Sequence, residues 1–391
     1  MFKSRLFTPG PTPLLPQVQQ ALSLPILHHR TDEFRQILTE VLDGLRYLYD
    51  TQHDVLLFTA SATGVMEGAV VNLLNRRDEA LVVSVGKFGE RWVDLLRTHG
   101  ITARILSAPY GQIIDPQDVA VQLEKYPSTR AVFVQYSESS TGVKLNIKAL
   151  GEVVRQFPQT VLIVDAVTGL GVMELPVDLW HLDVVIAGSQ KALMIPPGLA
   201  FASISEKAWR LIGATQCPSF YFDFRKEREY QLRGETAYTP STSLILALRE
   251  ALQFIRELSR EVLIQNAGLL AEATRAAAKA LGLHLFAESS PSDALTVIRA
   301  PAGIDSRTII KELKNNFGSI VANGQGEMRD KIFRIAHLGY HDFSDILALI
   351  ACLELVLRRL GVNVNLGSGV QAAQGVYLLR KGIDGRDRVA P

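Results

Sequence analysis

Seven short segments rich in apolar and β-branched residues recur through the first two-thirds of the chain. Each has the length and composition of a β-strand. They are Asp54–Thr59, Ala80–Val85, Thr102–Ser107, Ala131–Tyr136, Thr160–Val164, Asp183–Ala187 and Leu199–Ile204. Most are nearly continuous in apolar residues, and amphipathic stretches such as Val65–Leu74 and Leu145–Phe157 separate several of them. This pattern is typical of a mostly parallel sheet covered by helices on both faces, so it predicts an α/β domain.

The pattern changes from about residue 241 onward. Two long helical stretches, Leu244–Ser259 and Ile264–Leu281, come first, and strands follow near Ala294–Arg299 and Ile332–Ala336. This succession suggests a second, α+β domain. We therefore expect an N-terminal arm over residues 1–20, a large α/β domain over residues 21–250 and a smaller domain over residues 251–391.

The last predicted helix has recognisable start and stop signals. Asp342 or Ser344 is its candidate N-cap, Arg358 and Arg359 lie in its last turn, and Gly361 stands just beyond it. The tail from residue 362 to residue 391 is mixed and Gly-rich, and we expect it to be only partly ordered.

Composition narrows the class of protein. The 391 residues include 41 basic and 40 acidic side chains, a formal charge of +1 that provides no bulk field for nucleic acid or an anionic membrane. Ile346–Leu357 is apolar but too short to span a bilayer, and the N-terminus lacks the apolar stretch of a signal peptide. Two cysteines are too few for a disulfide framework, an iron–sulfur cluster or a Cys-ligated zinc. We expect a cytoplasmic protein without a metal, whose partners are small molecules or copies of itself.

Polar residues directly after the strands are the first candidates for chemistry, because open α/β sheets bind ligands at the carboxyl ends of their strands. The first strand leads into Ser61-Ala62-Thr63 at the start of a helix, where the serine would cap the helix and free backbone amides would favour an anion. A serine at this position usually does no more than cap the helix.

Two further strand ends carry opposite charges. Asp165 ends the fifth strand, and a carboxylate there is costly unless a cation or a hydrogen-bond donor meets it. Lys191 follows the sixth strand, where desolvation would let it lose its proton and attack a carbonyl. This pair is what an aldehyde cofactor with a protonatable ring nitrogen requires: a lysine to form the imine and a carboxylate to keep the ring protonated.

In the order and spacing of these motifs the chain resembles the class V aminotransferases of pyridoxal-phosphate fold type I. It is similar to the alanine/serine–glyoxylate aminotransferases and to the bacterial relatives labelled soluble hydrogenase 42 kDa subunit. The resemblance covers residues 5 to 360. It implies the type I fold, a seven-stranded mostly parallel sheet domain with a smaller α+β C-terminal domain, and pyridoxal 5'-phosphate as cofactor.

The resemblance also implies roles for single residues. Gly10 in Thr8-Pro9-Gly10-Pro11 would lie near the substrate, and Arg334 in Phe333-Arg334-Ile335 would grip its carboxylate. Thr239 would reach across a homodimer interface to the partner's phosphate. The other positions implied to bind the cofactor are Ser61, Ala62 and Thr63 on the phosphate turn, Phe88 stacking on the pyridine, Ser139 at the phenolic oxygen or the phosphate, Asp165 and Val167 around the ring, Gln190 at the phosphate, and Lys191.

Three departures from the family pattern stand out. Ala62 and Thr63 occupy positions where relatives often have glycine and histidine, so the side-chain contacts to phosphate are open. Phe88 replaces the tryptophan of the eukaryotic enzymes. The tail beyond Leu366 has no counterpart.

The resemblance implies transfer of an amino group from alanine or serine to glyoxylate or another small 2-oxo acid by ping-pong kinetics, with Lys191 as general base. Ureidoglycine, aspartate and aminoethylphosphonate are the alternative donors, and the sequence does not choose among them.

Three other interpretations of the sequence compete with that of an aminotransferase. A dinucleotide site at Gly169-Leu170-Gly171 lacks the third glycine, which Glu174 replaces. A nickel–iron hydrogenase component would need several thiolates. A non-enzymatic scaffold is disfavoured because Lys191, Asp165 and Arg334 are present together.

Overall fold

The computed structural model describes residues 3–382. Its strands are β1 (Arg5–Phe7), β2 (Asp54–Phe58), β3 (Glu79–Ser84), β4 (Thr102–Ser107), β5 (Thr129–Gln135), β6 (Ser137–Glu138), β7 (Val143–Lys144), β8 (Val161–Asp165), β9 (Val184–Gly188), β10 (Ala200–Ile204), β11 (Leu295–Arg299), β12 (Ser319–Asn323) and β13 (Ile332–Ala336). Its helices are α1 (Pro16–Ala21), α2 (Asp32–Tyr49), α3 (Ala62–Leu73), α4 (Lys87–Thr98), α5 (Pro116–Lys125), α6 (Ile147–Val154), α7 (Glu206–Ala214), α8 (Phe224–Gln231), α9 (Thr242–Leu258), α10 (Arg260–Ala280), α11 (Ser306–Phe317), α12 (Phe343–Arg359) and α13 (Ser368–Gly382).

A seven-stranded sheet in the order β2-β10-β9-β8-β5-β3-β4 forms the centre of the larger part of the molecule. Neighbouring strands are parallel except at β10, which runs antiparallel to both β2 and β9. The seven strands are those that the sequence predicts, with ends that differ by one or two residues, so the α/β prediction is confirmed.

Both faces of this sheet are buried except at the edge strand β4, which explains the continuous apolar runs of the other strands. In β5, Val132 and Val134 belong to one core cluster, whereas Ala131 and Phe133 belong to the cluster on the opposite face. Full burial of a valine- or phenylalanine-sized side chain stabilises a fold by about 1.5–3 kcal/mol. A polar residue in the middle of such a strand would forfeit that contribution, so polar side chains are displaced to the strand ends.

A second sheet, in the order β1-β12-β13-β11, lies against a third core cluster. The predicted strands near Ala294–Arg299 and Ile332–Ala336 correspond to β11 and β13. β1 pairs in parallel with β12, with Arg5 opposite Ser319, and neither of these two strands was predicted. The N-terminal segment is therefore bound to the C-terminal sheet. The domain limits proposed from the sequence remain predictions.

A side-chain carboxylate fixes the first turn of each C-terminal helix, α12 and α13. The side chain of Asp342 accepts a hydrogen bond from the Asp345 amide at 2.9 Å, and the side chain of Asp345 accepts one from the Asp342 amide at 3.3 Å. Asp342 and not Ser344 is therefore the N-cap of α12. In the tail, α13 is a regular helix, because buried Glu354 accepts from the Gly367 and Gly369 amides and anchors the start of that helix. Partial order was expected for residues 362–391. Residues 368–382 form α13 and residues 383–391 lie outside the described part, so that expectation stays a prediction.

None of the helices described for residues 3–382 is both long enough and apolar enough to cross a membrane.

Candidate active site

The predicted chemistry converges on a cavity of about 90 Å³ at the carboxyl ends of β8 and β9. The N-terminal turns of α3 and α4 form its other walls. A larger and more open groove lies elsewhere, near Lys144 and Arg380, and contains none of the site residues predicted from the sequence. The smaller cavity is the candidate active site, because only there do a strand-end carboxylate, a desolvated lysine and free helix amides meet.

Lys191 follows β9 in a loop that holds it from both sides. Its main-chain carbonyl accepts a hydrogen bond from Thr12 Oγ1 at 2.9 Å, and its Nζ donates to the Pro9 carbonyl at 2.5 Å. Burial lowers the pKa of Lys191 to about 8, repulsion from Arg334 and Arg91 acts in the same direction, and attraction to Asp165 opposes it. A substantial fraction of this amine is therefore neutral and nucleophilic near neutral pH.

Asp165 is the last residue of β8 and is 6% exposed. The only hydrogen bond to its carboxylate from within residues 3–382 comes from the Val167 amide at 2.9 Å, and no cation there lies within 4 Å of it. Burial raises the pKa of Asp165 to about 6, although that amide and the charges of Arg91 and Lys191 oppose the rise. The carboxylate is thus ionised at neutral pH and has capacity for a further partner inside the cavity.

The first turn of α3 presents unused backbone amides to the cavity. Ser61 occupies the N-cap position, but its side chain makes no capping hydrogen bond, contrary to the capping role that the sequence suggests. Within the described residues, the amides of Ala62 and Thr63 donate no hydrogen bond. Free amides at a helix N-terminus favour an anion. This turn is therefore suited to a phosphate group.

The first turn of α4 carries an aromatic ring and is fixed by a buried carboxylate. Glu138 accepts hydrogen bonds from the amides of Phe88 at 3.0 Å and Gly89 at 3.1 Å. Burial raises the pKa of Glu138 to about 6, and hydrogen bonds from Ser140 and Gly89 oppose the rise. Because Glu138 holds the start of α4, the position of the Phe88 ring depends on the loop that follows β5.

That loop also fixes Arg334, which lies at the centre of β13 and is 6% exposed. Its Nη1 donates to the Ser139 carbonyl at 2.8 Å and its Nε to the Asn323 carbonyl at 2.8 Å. No carboxylate in the described chain lies within 4 Å of it, so Arg334 forms no salt bridge with the described residues. Burial lowers the pKa of Arg334 to about 10, and the attraction of Glu138 opposes this.

The structure assembles most of the residues predicted from the sequence. Those lining the cavity are Ser61, Ala62, Thr63, Phe88, Ser139, Asp165, Val167, Gln190 and Lys191. Gly10 packs against the Lys191 side chain, where a Cβ would collide with it, and Arg334 reaches the cavity wall through Ser139. Thr239 is exposed and lies apart from this cavity, beside Tyr238 and Thr59.

Four further residues of the cavity were not predicted: Met66, Arg91, Ser137 and Thr168. A signal existed for Arg91, because it follows Phe88 by three positions on one helix and therefore shares its face. Ser137 and Thr168 come together only through tertiary structure, with Thr168 Oγ1 donating to the Ser137 carbonyl at 3.2 Å.

These features fit pyridoxal phosphate. The free amides of α3 suit its phosphate, the unpaired Asp165 carboxylate suits its ring nitrogen, and the Lys191 amine suits its aldehyde. Within residues 3–382, no group of three or more His, Cys, Asp or Glu side chains is placed to hold a metal ion.

Comparison with known proteins gives a consistent result. The family model described as aminotransferase class-V matches residues 9–327. The chain is 41% identical to the soluble hydrogenase small subunit of a Synechococcus species, over 96% of this chain and 98% of that protein. It is 33% identical to the L-aspartate–glyoxylate aminotransferase of Paracoccus denitrificans (95% and 96% covered) and 32% identical to the serine–glyoxylate aminotransferase of Methylorubrum extorquens (95% of each). The crystal structure of the ureidoglycine–glyoxylate aminotransferase of Bacillus subtilis superimposes with a TM-score of 0.92 at 29% identity, covering 96% of this chain and 98% of that one.

Proposed function

This chain belongs to the class V aminotransferase family and is a pyridoxal-phosphate-dependent transaminase, and from that premise we propose that it transfers the amino group of alanine or serine to glyoxylate or another small 2-oxo acid. The observation that carries this proposal is that Lys191 and Asp165 line one cavity, and that Arg334 donates to the carbonyl of Ser139 in the wall of that cavity. Glyoxylate is named as a substrate in three of the similar proteins, whose amino donors are aspartate, serine and ureidoglycine. That recurrence supports the acceptor more strongly than the donor.

When bound, pyridoxal phosphate supplies an aldehyde for amines and a protonated ring that stabilises negative charge at the substrate α-carbon. Lys191 would hold the cofactor, and its Nζ, when free, would act as general base and acid. It would take the proton from the substrate α-carbon and later release it, and a pKa lowered to about 8 suits both directions at physiological pH.

Asp165 would interact with the ring nitrogen of the cofactor. Its carboxylate has one hydrogen bond, from the Val167 amide, and so can accept another from the protonated ring nitrogen. An ionised partner favours the protonated ring. Asp165 therefore controls the rate of the chemical step more than the affinity for the cofactor.

Arg334 and Gly10 position the substrate in this proposal. Two main-chain carbonyls fix the plane of the Arg334 guanidinium, and its remaining N–H groups are free to meet an α-carboxylate in a planar, two-bond arrangement. Gly10 leaves the Lys191 amine uncovered, because any side chain there would occupy the space of the lysine.

We further propose a homodimer in which Thr239 contributes to the partner's cavity. Thr239 is exposed and does not line the cavity of its own chain. Its surroundings are aromatic: Tyr238 stacks on Tyr221 with ring centroids 5.1 Å apart, and neighbouring Phe220 is 76% exposed. An apolar surface of this kind suits an obligate interface. Sedimentation of a fully active monomer would contradict the dimer.

A cytoplasmic location remains a prediction.

The donor is tested by following 2-oxo acid release from a panel of amino acids, with glyoxylate and with pyruvate as acceptors. The expected result is turnover with alanine or serine and glyoxylate, parallel lines in double-reciprocal plots for a ping-pong mechanism, and no turnover by the Lys191→Ala variant. A strong preference for aspartate, ureidoglycine or aminoethylphosphonate would reject the proposed donor and leave the transaminase mechanism intact. Absence of transamination with every donor would reject the mechanism.

A further inference from the structure

Arg91 is the one cation of α4 that lines the active-site cavity, and it has no part in the proposed binding of substrate or transfer of protons. Its guanidinium carbon lies 4.6 Å from the centroid of the Phe88 ring, within the range of a cation–π interaction. Its Nη1 donates to Thr63 Oγ1 at 3.1 Å. One side chain therefore connects the aromatic wall on α4 with the anion-binding turn of α3.

The side-chain acceptor that Arg91 uses is uncharged, the hydroxyl of Thr63. Within the described residues Arg91 has no carboxylate within 4 Å, although it is partly buried. A partly buried cation without a counter-ion is costly unless an anion meets it, and the turn beside Arg91 is the one suited to phosphate.

We propose that Arg91 is a positioning residue of the cofactor site, which fixes the Phe88 ring and the Thr63 side chain in one wall and supplies positive charge beside the phosphate-binding turn. This inference rests on the cofactor and not on the identity of the amino donor. Three charged groups face Lys191: Asp165 from β8, Arg334 from β13 and Arg91 from α4. Loss of the Arg91 charge removes one repulsion and should make protonation of the lysine nitrogen easier.

Two variants separate the charge of Arg91 from its shape. Arg91→Met keeps an apolar stem and removes the charge, whereas Arg91→Lys keeps the charge and loses the planar fork. Arg97→Met is the matched control, because Arg97 lies on the same helix, is exposed and is remote from the cavity. Each apoprotein is titrated with pyridoxal phosphate and with pyridoxal, which lacks the phosphate.

For Arg91→Met we expect a Kd for pyridoxal phosphate raised about tenfold or more, since a charge-assisted hydrogen bond and a ring contact are both lost. The Kd for pyridoxal should rise less, because the charge acts on the phosphate. In Arg91→Lys the loss should be intermediate. Combining Arg91→Met with Thr63→Val should cost little beyond Arg91→Met alone, because both changes break the same hydrogen bond.

A pH titration of the visible band of the bound cofactor supplies a readout that a purely structural role would not move. Its midpoint should rise in Arg91→Met and stay near the wild-type value in Arg91→Lys and Arg97→Met. Wild-type affinity and an unmoved midpoint in folded Arg91→Met would overturn the inference, as would equal losses for pyridoxal and pyridoxal phosphate. A wild-type protein that binds neither compound would instead contradict the cofactor assignment.

Discussion

Replacement of Arg334 by lysine tests the substrate anchor, because the structure shows what the guanidinium does before any substrate arrives. Two of its N–H groups are taken by the carbonyls of Ser139 and Asn323, each at 2.8 Å. These bonds orient the fork, and in the proposed mechanism its remaining N–H groups would bind the substrate carboxylate. A lysine keeps the charge but has a single nitrogen, which cannot satisfy both carbonyls and a carboxylate in one plane.

The size of the effect follows from the bonds lost. A hydrogen bond to a charged group contributes about 1.5–3 kcal/mol. Loss of one such bond to the substrate carboxylate corresponds to a decrease in kcat/KM of about tenfold to a hundredfold. Both constants should change, with KM raised for every amino donor and kcat lowered, because a tilted substrate no longer holds its α-proton perpendicular to the ring.

The assay compares steady-state kinetics, cofactor titration and thermal unfolding of Arg334→Lys with those of Arg275→Lys. Arg275 is a suitable control because its side chain is 15% exposed, bonds both Asp293 and the Ser292 carbonyl, and does not line the cavity. The control should lose stability and keep its KM. Arg334→Lys should keep its affinity for the cofactor. A normal KM in its folded fraction would show that Arg334 has only a structural role.

Three further predictions follow from the same geometry. Asp165→Asn should retain the cofactor but lose orders of magnitude in kcat, since a neutral amide no longer favours the protonated ring; unchanged turnover would refute the role of Asp165. Gly10→Ala should slow cofactor capture and turnover, because its φ of +137° is unfavourable for alanine and the new Cβ would meet the Lys191 side chain, whereas Gly213→Ala, with no atom within 4 Å, should leave both unchanged. Stopped-flow capture of pyridoxal phosphate by the apoprotein should accelerate as the pH rises through about 8, the pKa that burial gives Lys191, because only the neutral amine attacks an aldehyde; a rate independent of pH between 6 and 9 would contradict this.

The large sheet was predictable because its strands are buried on both faces. A run such as Val161 to Val164 has no other stable environment than the centre of a helix-covered sheet, and the charged residue that ends it, Asp165, marks the edge where ligands bind. The helix N-cap at Asp342 was likewise predictable, because the capping interaction is local in sequence.

Features that depend on distant contacts were not predictable in this way. The three-residue strand β1 exists because β12, more than 300 residues away, offers an unpaired edge. Helix α13 is anchored by Glu354, a charged residue within the otherwise apolar helix α12. Its carboxylate accepts hydrogen bonds from the Gly367 and Gly369 amides, and the sequence alone does not indicate these partners.

The candidate site shows the same division. Lys191 and Asp165 were identifiable because a charge at the end of a buried strand is chemically unusual. The contact between Arg91 and Thr63 joins the starts of two helices separated by 28 positions, and only the packing of α3 beside α4 brings these residues together.

The central claim is that Lys191 carries the cofactor, and one measurement tests it directly. The purified protein, loaded with pyridoxal phosphate, is treated with borohydride, digested and analysed by mass spectrometry. We expect the visible band to collapse and a single pyridoxyl-phosphate adduct to appear on the peptide containing Lys191. An adduct confined to another lysine, or a protein that never acquires the visible band, would contradict it.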